Sequence, residues 1–180
     1  MPTTPDPRPL VGEPLALDLL NTRWMREGEV QDLLTDVDGL GVWLAANGLD
    51  GGYFPDTRML SHVLQARDAL KAAVDGSLRE GAPLVDAVLR NGRVLVSLTA
   101  EGPRELPELS NPSWGPAWLA ARNYLELLDT APDRIRRCAH EACILHFYDT
   151  SRNGTRRWCS MAACGNRAKA SRHYTRVKES

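Results

Sequence analysis

No run of apolar residues approaches the ~20 that a membrane-crossing helix needs, so nothing in the 180 residues is expected to enter a bilayer. The start lacks the apolar core of a secretory leader. MPTTPDPRP, residues 1–9, is proline-rich and points to a flexible tail on a cytoplasmic protein. Cysteine is absent from the first 137 residues. Also missing are a nucleophile elbow, a phosphate loop and an HExxH zinc-hydrolase motif. Without such a kit no catalytic residue stands out, and an enzyme is not the expectation. Internal repeats and low-complexity stretches are absent as well.

What is present is globular, with 43% hydrophobic and 25% charged residues. Arginine outnumbers lysine, and alanine and leucine are heavy, as in high-GC bacterial genes. The net charge of −1 conceals an asymmetry. Residues 1–133 carry 11 Lys and Arg against 20 Asp and Glu (−9), while residues 134–180 carry 11 against 3 (+8). A basic terminal part points to a module that meets a polyanion.

Apolar periodicity predicts a mainly α protein with minor β. Helices are expected over 36–47, 57–79, 83–90 and 115–129, with Asp56 a cap and Pro83 in a first turn. RVLVSLT, residues 93–99, is the clearest strand. Residues 101–113, with Pro103, Pro107 and Pro112, are expected to be loop. The run Leu15–Leu20 is apolar apart from Asp18 and fits either a strand or a short helix. The helical first domain spans 10–130, and APD at 131–133 marks its end. Trp24, Trp43, Trp114 and Trp118 are expected in its core or at an interface.

All four cysteines lie in the basic part, as Cys138-x4-Cys143, fifteen residues, then Cys159-x4-Cys164. Structural zinc takes four thiolates as two close pairs from separate elements, and disulfides are disfavoured in a reducing compartment. One Zn2+ is therefore expected. Four thiolates leave no open position for water, so its role is structural. His140 and His146 are expected outside the ligand set. ILHFY, 144–148, fits a strand, Asn153-Gly154 is a hairpin signal, and Ser160 can cap a helix running to about Tyr174. Knuckle, hairpin and helix over 134–180 make a treble-clef-like finger, with Trp158 as its small core. About forty residues bury too little apolar surface to fold without the metal.

The stretch RRCAHEACILHFYDTSRNGTRRWCSMAACGNRAKASRHYTR, 136–176, resembles the CGNR zinc finger, named for Cys164-Gly165-Asn166-Arg167. LALDLLNT, 15–22, and the helix holding Ala66-Arg67-Asp68-Ala69-Leu70 are similar to the ABATE domain that usually precedes that finger. The resemblance implies a bacterial transcription regulator.

The basic residues fit that implication. Arg156, Arg157, Arg167, Lys169, Arg172 and Arg176 can neutralise phosphates, and Asn166 with Arg167 suits base edges. DNA is the expected partner. RNA or single-stranded DNA could instead stack on Trp158, His173 or Tyr174. The bland alternatives are a solvated face, docking on the acidic first domain, or an Arg167–Asp149 pair inside the finger. One finger buries only ~600–1,000 Å² on DNA, so a homodimer would help. The first domain would supply dimerisation or sense a small-molecule effector. Asp18, Asn21 and Arg67 are its candidate ligand residues, with His62 as a further polar candidate. A buried Asp18 needs a partner, either Arg67 or a ligand. In the alternative reading the first domain is the working part, as a small-molecule binder or an enzyme, and the finger only braces it.

Overall fold

The computed structural model describes residues 5–167 and 169. Leu15–Leu20 is a helix, α1, buried at every residue after Leu15. A helix apolar on every side but for Asp18 belongs inside, and the other elements pack about it. Strands β1 (Arg23–Arg26) and β2 (Glu29–Asp32) follow as a tight antiparallel hairpin. Its turn residues Glu27 and Gly28 have φ of 55° and 86°, as the right-handed strand twist requires.

Helix α2 (Val37–Ala46) starts at Asp36, whose carboxylate accepts from Gly39 N–H, close to the expected bounds. A Cβ on Gly39 would sit 1.7 Å from the Leu33 carbonyl oxygen, so only glycine fits. Helix α3 (Thr57–Lys71) starts at the expected Asp56 cap but does not run to 79. It widens into a π-helical turn, Ala72–Gly76, and stops at Ser77. Ser77 caps α4 (Leu78–Leu89): its Oγ accepts from Glu80 N–H and donates to the Glu80 carboxylate, so Pro83 lies within that helix. Val74 and Leu78 keep the three-and-four spacing across the break, which hides it from periodicity.

Strand β3 (Gly92–Thr99) matches its expectation. Its partner does not: β4 (Gly102–Leu109) occupies the expected loop. Pro107 lies opposite Val94 and Pro103 opposite Leu98, at positions whose nitrogens face the free edge, where proline costs no ladder bond. Helix α5 (Gly115–Thr130) completes the first domain. Trp24, Trp43 and Trp118 are buried, and Trp114 stacks on His62 with ring centroids 3.7 Å apart. No helix among the described residues is long and apolar enough to cross a membrane.

In the finger, β5 (Ile135–Arg137) pairs with β6 (His146–Tyr148). The expected strand at 144–148 thus exists in shorter form, but its partner precedes the first cysteine. Asn153-Gly154 turns a loop instead. Asp149 accepts from Ser151 N, Ser151 Oγ and Arg156 N, and those bonds bind the chain into a loop rather than a second hairpin. Ser160 caps the next turn as expected, accepting from Ala163 N–H at 3.1 Å ahead of a π-helical turn, Met161–Gly165.

The finger docks on α1. The Asn21 amide donates to His146 O and accepts from His146 N, both at 2.8 Å, like one added rung of a β-ladder. Glu13 accepts from Tyr148 N at 2.9 Å and pairs with Arg156 at 3.2 Å. His146 Nε2 lies 2.7 Å from Asp75 Oδ1.

Candidate metal centre

The β5–β6 connection carries Cys138 and Cys143, and the turn after Ser160 carries Cys164, with Cys159 just before that cap. Backbone bonds shape the first knuckle: Cys138 N donates to Leu145 O, and Cys143 N to His140 O, both at 2.9 Å. All four sulfurs are buried and lie within 4.8 Å of one another. Cys143–Cys159 and Cys159–Cys164 are 3.9 and 3.6 Å apart. A tetrahedron with Zn–S of ~2.3 Å has edges of ~3.8 Å, so the sulfurs stand where one zinc would hold them. A disulfide needs ~2.05 Å. Cys159 N–H also donates to Cys138 Sγ at 3.4 Å.

The thiol chemistry agrees. Cys143 falls to about 5, chiefly because Cys159 donates to it and outweighs burial. Cys159 is driven up by giving that bond and by burial. Cys164 is pushed up to about 12 by burial and the neighbouring thiolates. Negative charge on Cys159 and Cys164 is thus resisted, and a dication bound among the sulfurs would offset it. His140 turns away and accepts Ala142 N–H, and His146 is engaged with Asp75. Among the described residues the ligand set is four cysteines, a closed structural zinc site.

The first domain matches the family model ABATE, described as a putative stress-induced transcription regulator, over residues 13–131. The chain belongs to the ABATE family. The CGNR zinc finger matches residues 134–177, which places Cys138, Cys143, Cys159 and Cys164 inside a known finger type. A search of the curated proteins found no match.

In this ABATE protein the other candidate residues divide. Arg157, Asn166, Arg167 and Lys169 are exposed around the start of the zinc-held helix. Arg156, half-buried, stacks on Phe147 at 4.2 Å, donates to the Trp158 and Cys159 carbonyls and pairs with Glu13, so it organises the seam. Arg172 and Arg176, with His173 and Tyr174, lie outside the described residues. Asp149 is taken up by Ser151 and Arg156 rather than by Arg167.

The expected Asp18–Arg67 pair is not formed. Asp18 binds Arg8 Nη1 at 2.7 Å and also accepts from Gly12 N, Trp43 Nε1 and Asn47 Nδ2. Arg8, expected in a flexible tail, has a fully buried side chain. Arg67 instead grips Asp32 end-on, at 2.6 and 2.8 Å, and donates to Thr22 Oγ1. The reason is geometric: α3 aligns Arg67 with the end of β2, while the chain before α1 folds back over Asp18. Glu13 and Asp75 of the seam escaped sequence reasoning, because an isolated acid carries no periodic signal, and His146 was placed only outside the ligand set. Asp32 had one, the Glu27-Gly28 turn between two short runs.

Proposed function

We propose that this protein is a transcription regulator that binds nucleic acid, preferentially DNA, through the basic face of its zinc finger. The observation that carries the reading is which side of the finger is covered. The acidic first domain engages β6 and Arg156 through Asn21 and Glu13. Arg157, Arg167 and Lys169 remain exposed beside Asn166. Zinc binding fixes Cys164, and with it the direction of the helix that presents Asn166 and Arg167. Cations there neutralise phosphates and release counterions, and the Asn–Arg pair can read adenine and guanine edges. A groove of about 590 Å³ lined by Arg157, Trp158 and Met161 runs beside that helix start and suits a sugar or base.

The test is fluorescence anisotropy of labelled duplex and single-stranded DNA, with zinc-loaded full-length protein at ~50 mM salt, where phosphate contacts are strong. Wild type binds the duplex; Arg157→Ala/Arg167→Ala, with its fold intact by circular dichroism, binds at least about tenfold more weakly, as the loss of two phosphate contacts predicts. Absence of wild-type binding removes the reading. Tighter binding of the single strand would shift the partner to unpaired nucleic acid.

A further inference from the structure

Between the first domain and the finger lies a cleft of about 200 Å³, walled by both. Leu20, Val30 and Ile144 give it an apolar side. Arg23, Arg67, Lys71 and Arg137 give it a cationic one. Asp68 and Asp75 also line it, and Asp32 stands behind Arg67 and Arg23. Four cations thus face three carboxylates, and one positive charge is uncompensated. The hydrogen bonding is incomplete in the same place. Arg67 uses Nη1 and Nη2 on Asp32, but its Nε, sealed from solvent in a side chain 8% exposed, has no partner. Arg23 Nε is likewise without a hydrogen bond, 3.6 Å from Asp32. His146 uses Nε2 on Asp75, and its buried Nδ1 has no partner.

We infer that this cleft binds a small monoanionic organic acid. Its carboxylate lies among Arg23, Arg67 and Arg137, and its apolar body lies against Leu20, Val30 and Ile144. A single excess charge beside an apolar wall disfavours phosphate and polycarboxylates. Because the walls come from both parts of the chain, the ligand braces the seam. The inference stands whether or not the finger binds nucleic acid.

Benzoate, benzyl alcohol and inorganic phosphate are titrated into zinc-loaded full-length protein by calorimetry. Benzoate is expected to saturate one site with Kd on the order of 1 mM or tighter, a scale ordinary for so small a ligand. Benzyl alcohol and phosphate are expected at least about tenfold weaker, the cost of losing either the charge or the apolar contact. Arg23→Met, at a half-exposed position, should weaken benzoate about tenfold. Val30→Trp, built from the exposed hairpin to plug the cleft, should abolish binding; melting curves check that both variants fold. No saturation by ~20 mM benzoate, far above the expected Kd, overturns the inference. So do equal binding of benzyl alcohol, tighter binding of phosphate, or unchanged binding in both variants.

Discussion

Asn21 joins two parts of the molecule with one side chain, because its amide satisfies both backbone groups of His146. Asn21→Leu would leave that buried N–H and C=O without partners, so it should cost roughly 2–4 kcal/mol in chemical denaturation. Asp18 sits under four donors, and Asp18→Leu leaves Gly12 N–H, Trp43 Nε1 and Asn47 Nδ2 without that acceptor and the buried Arg8 guanidinium with Asp6 alone, at about 3–5 kcal/mol. Asp18→Asn, which keeps an acceptor oxygen for those donors, should cost less than Asp18→Leu in the same measurement. That Asp18 needed a partner was legible from an acid among leucines. Which arginine served was not, because the choice depends on how the proline-rich segment folds back. His146 and Asp75 give a pH prediction. Burial holds His146 below its usual value against the pull of Asp75. Asp75 would be raised by burial, but bonds from Lys71 and His146 hold it low. As pH falls through ~6.5 the unfolded histidine takes a proton that the folded one refuses, and stability drops. In zinc-saturated buffer the fall in Tm between about pH 7.5 and 5.5 should therefore be smaller in His146→Gln.

The elements depend on caps, turns and metal more than on propensity. Helix starts at Asp56 and Ser160 were legible, since each is a short acceptor ahead of an apolar period. Ser77 carried the same signal, and the unbroken spacing of Val74 and Leu78 overrode it. Strand β4 was hidden by its prolines, which a sequence pattern treats as breakers although they suit a free edge. Those prolines also protect the hairpin, whose Val96 and Leu98 are 73% and 84% exposed. Pro103→Thr/Pro107→Thr would restore edge donors and should raise self-association in sedimentation velocity. The four-cysteine set was the most legible feature, because ligand spacing is a covalent property that folding does not alter. Chelation of zinc should unfold the segment around it, seen as lost helical circular dichroism and freed thiols, as metal binding is folding energy in so small a unit. Cys164→Ser should behave the same way.

At the scale of the whole molecule the charge asymmetry takes on a shape. The acidic ABATE domain meets the finger at β6 through specific bonds, and the cations around Asn166 stay outside that seam. Composition revealed the asymmetry; only the register of Asn21 on β6 decides which face is covered. The most direct measurement of the account's central claim, a zinc-fixed basic face that meets phosphates, is the salt dependence of duplex affinity. The slope of log K against log salt is compared for zinc-loaded wild type and Arg157→Ala/Arg167→Ala. The account predicts a negative slope for wild type that is shallower in the variant by about two, one for each phosphate contact removed. Equal slopes in the two proteins would contradict it.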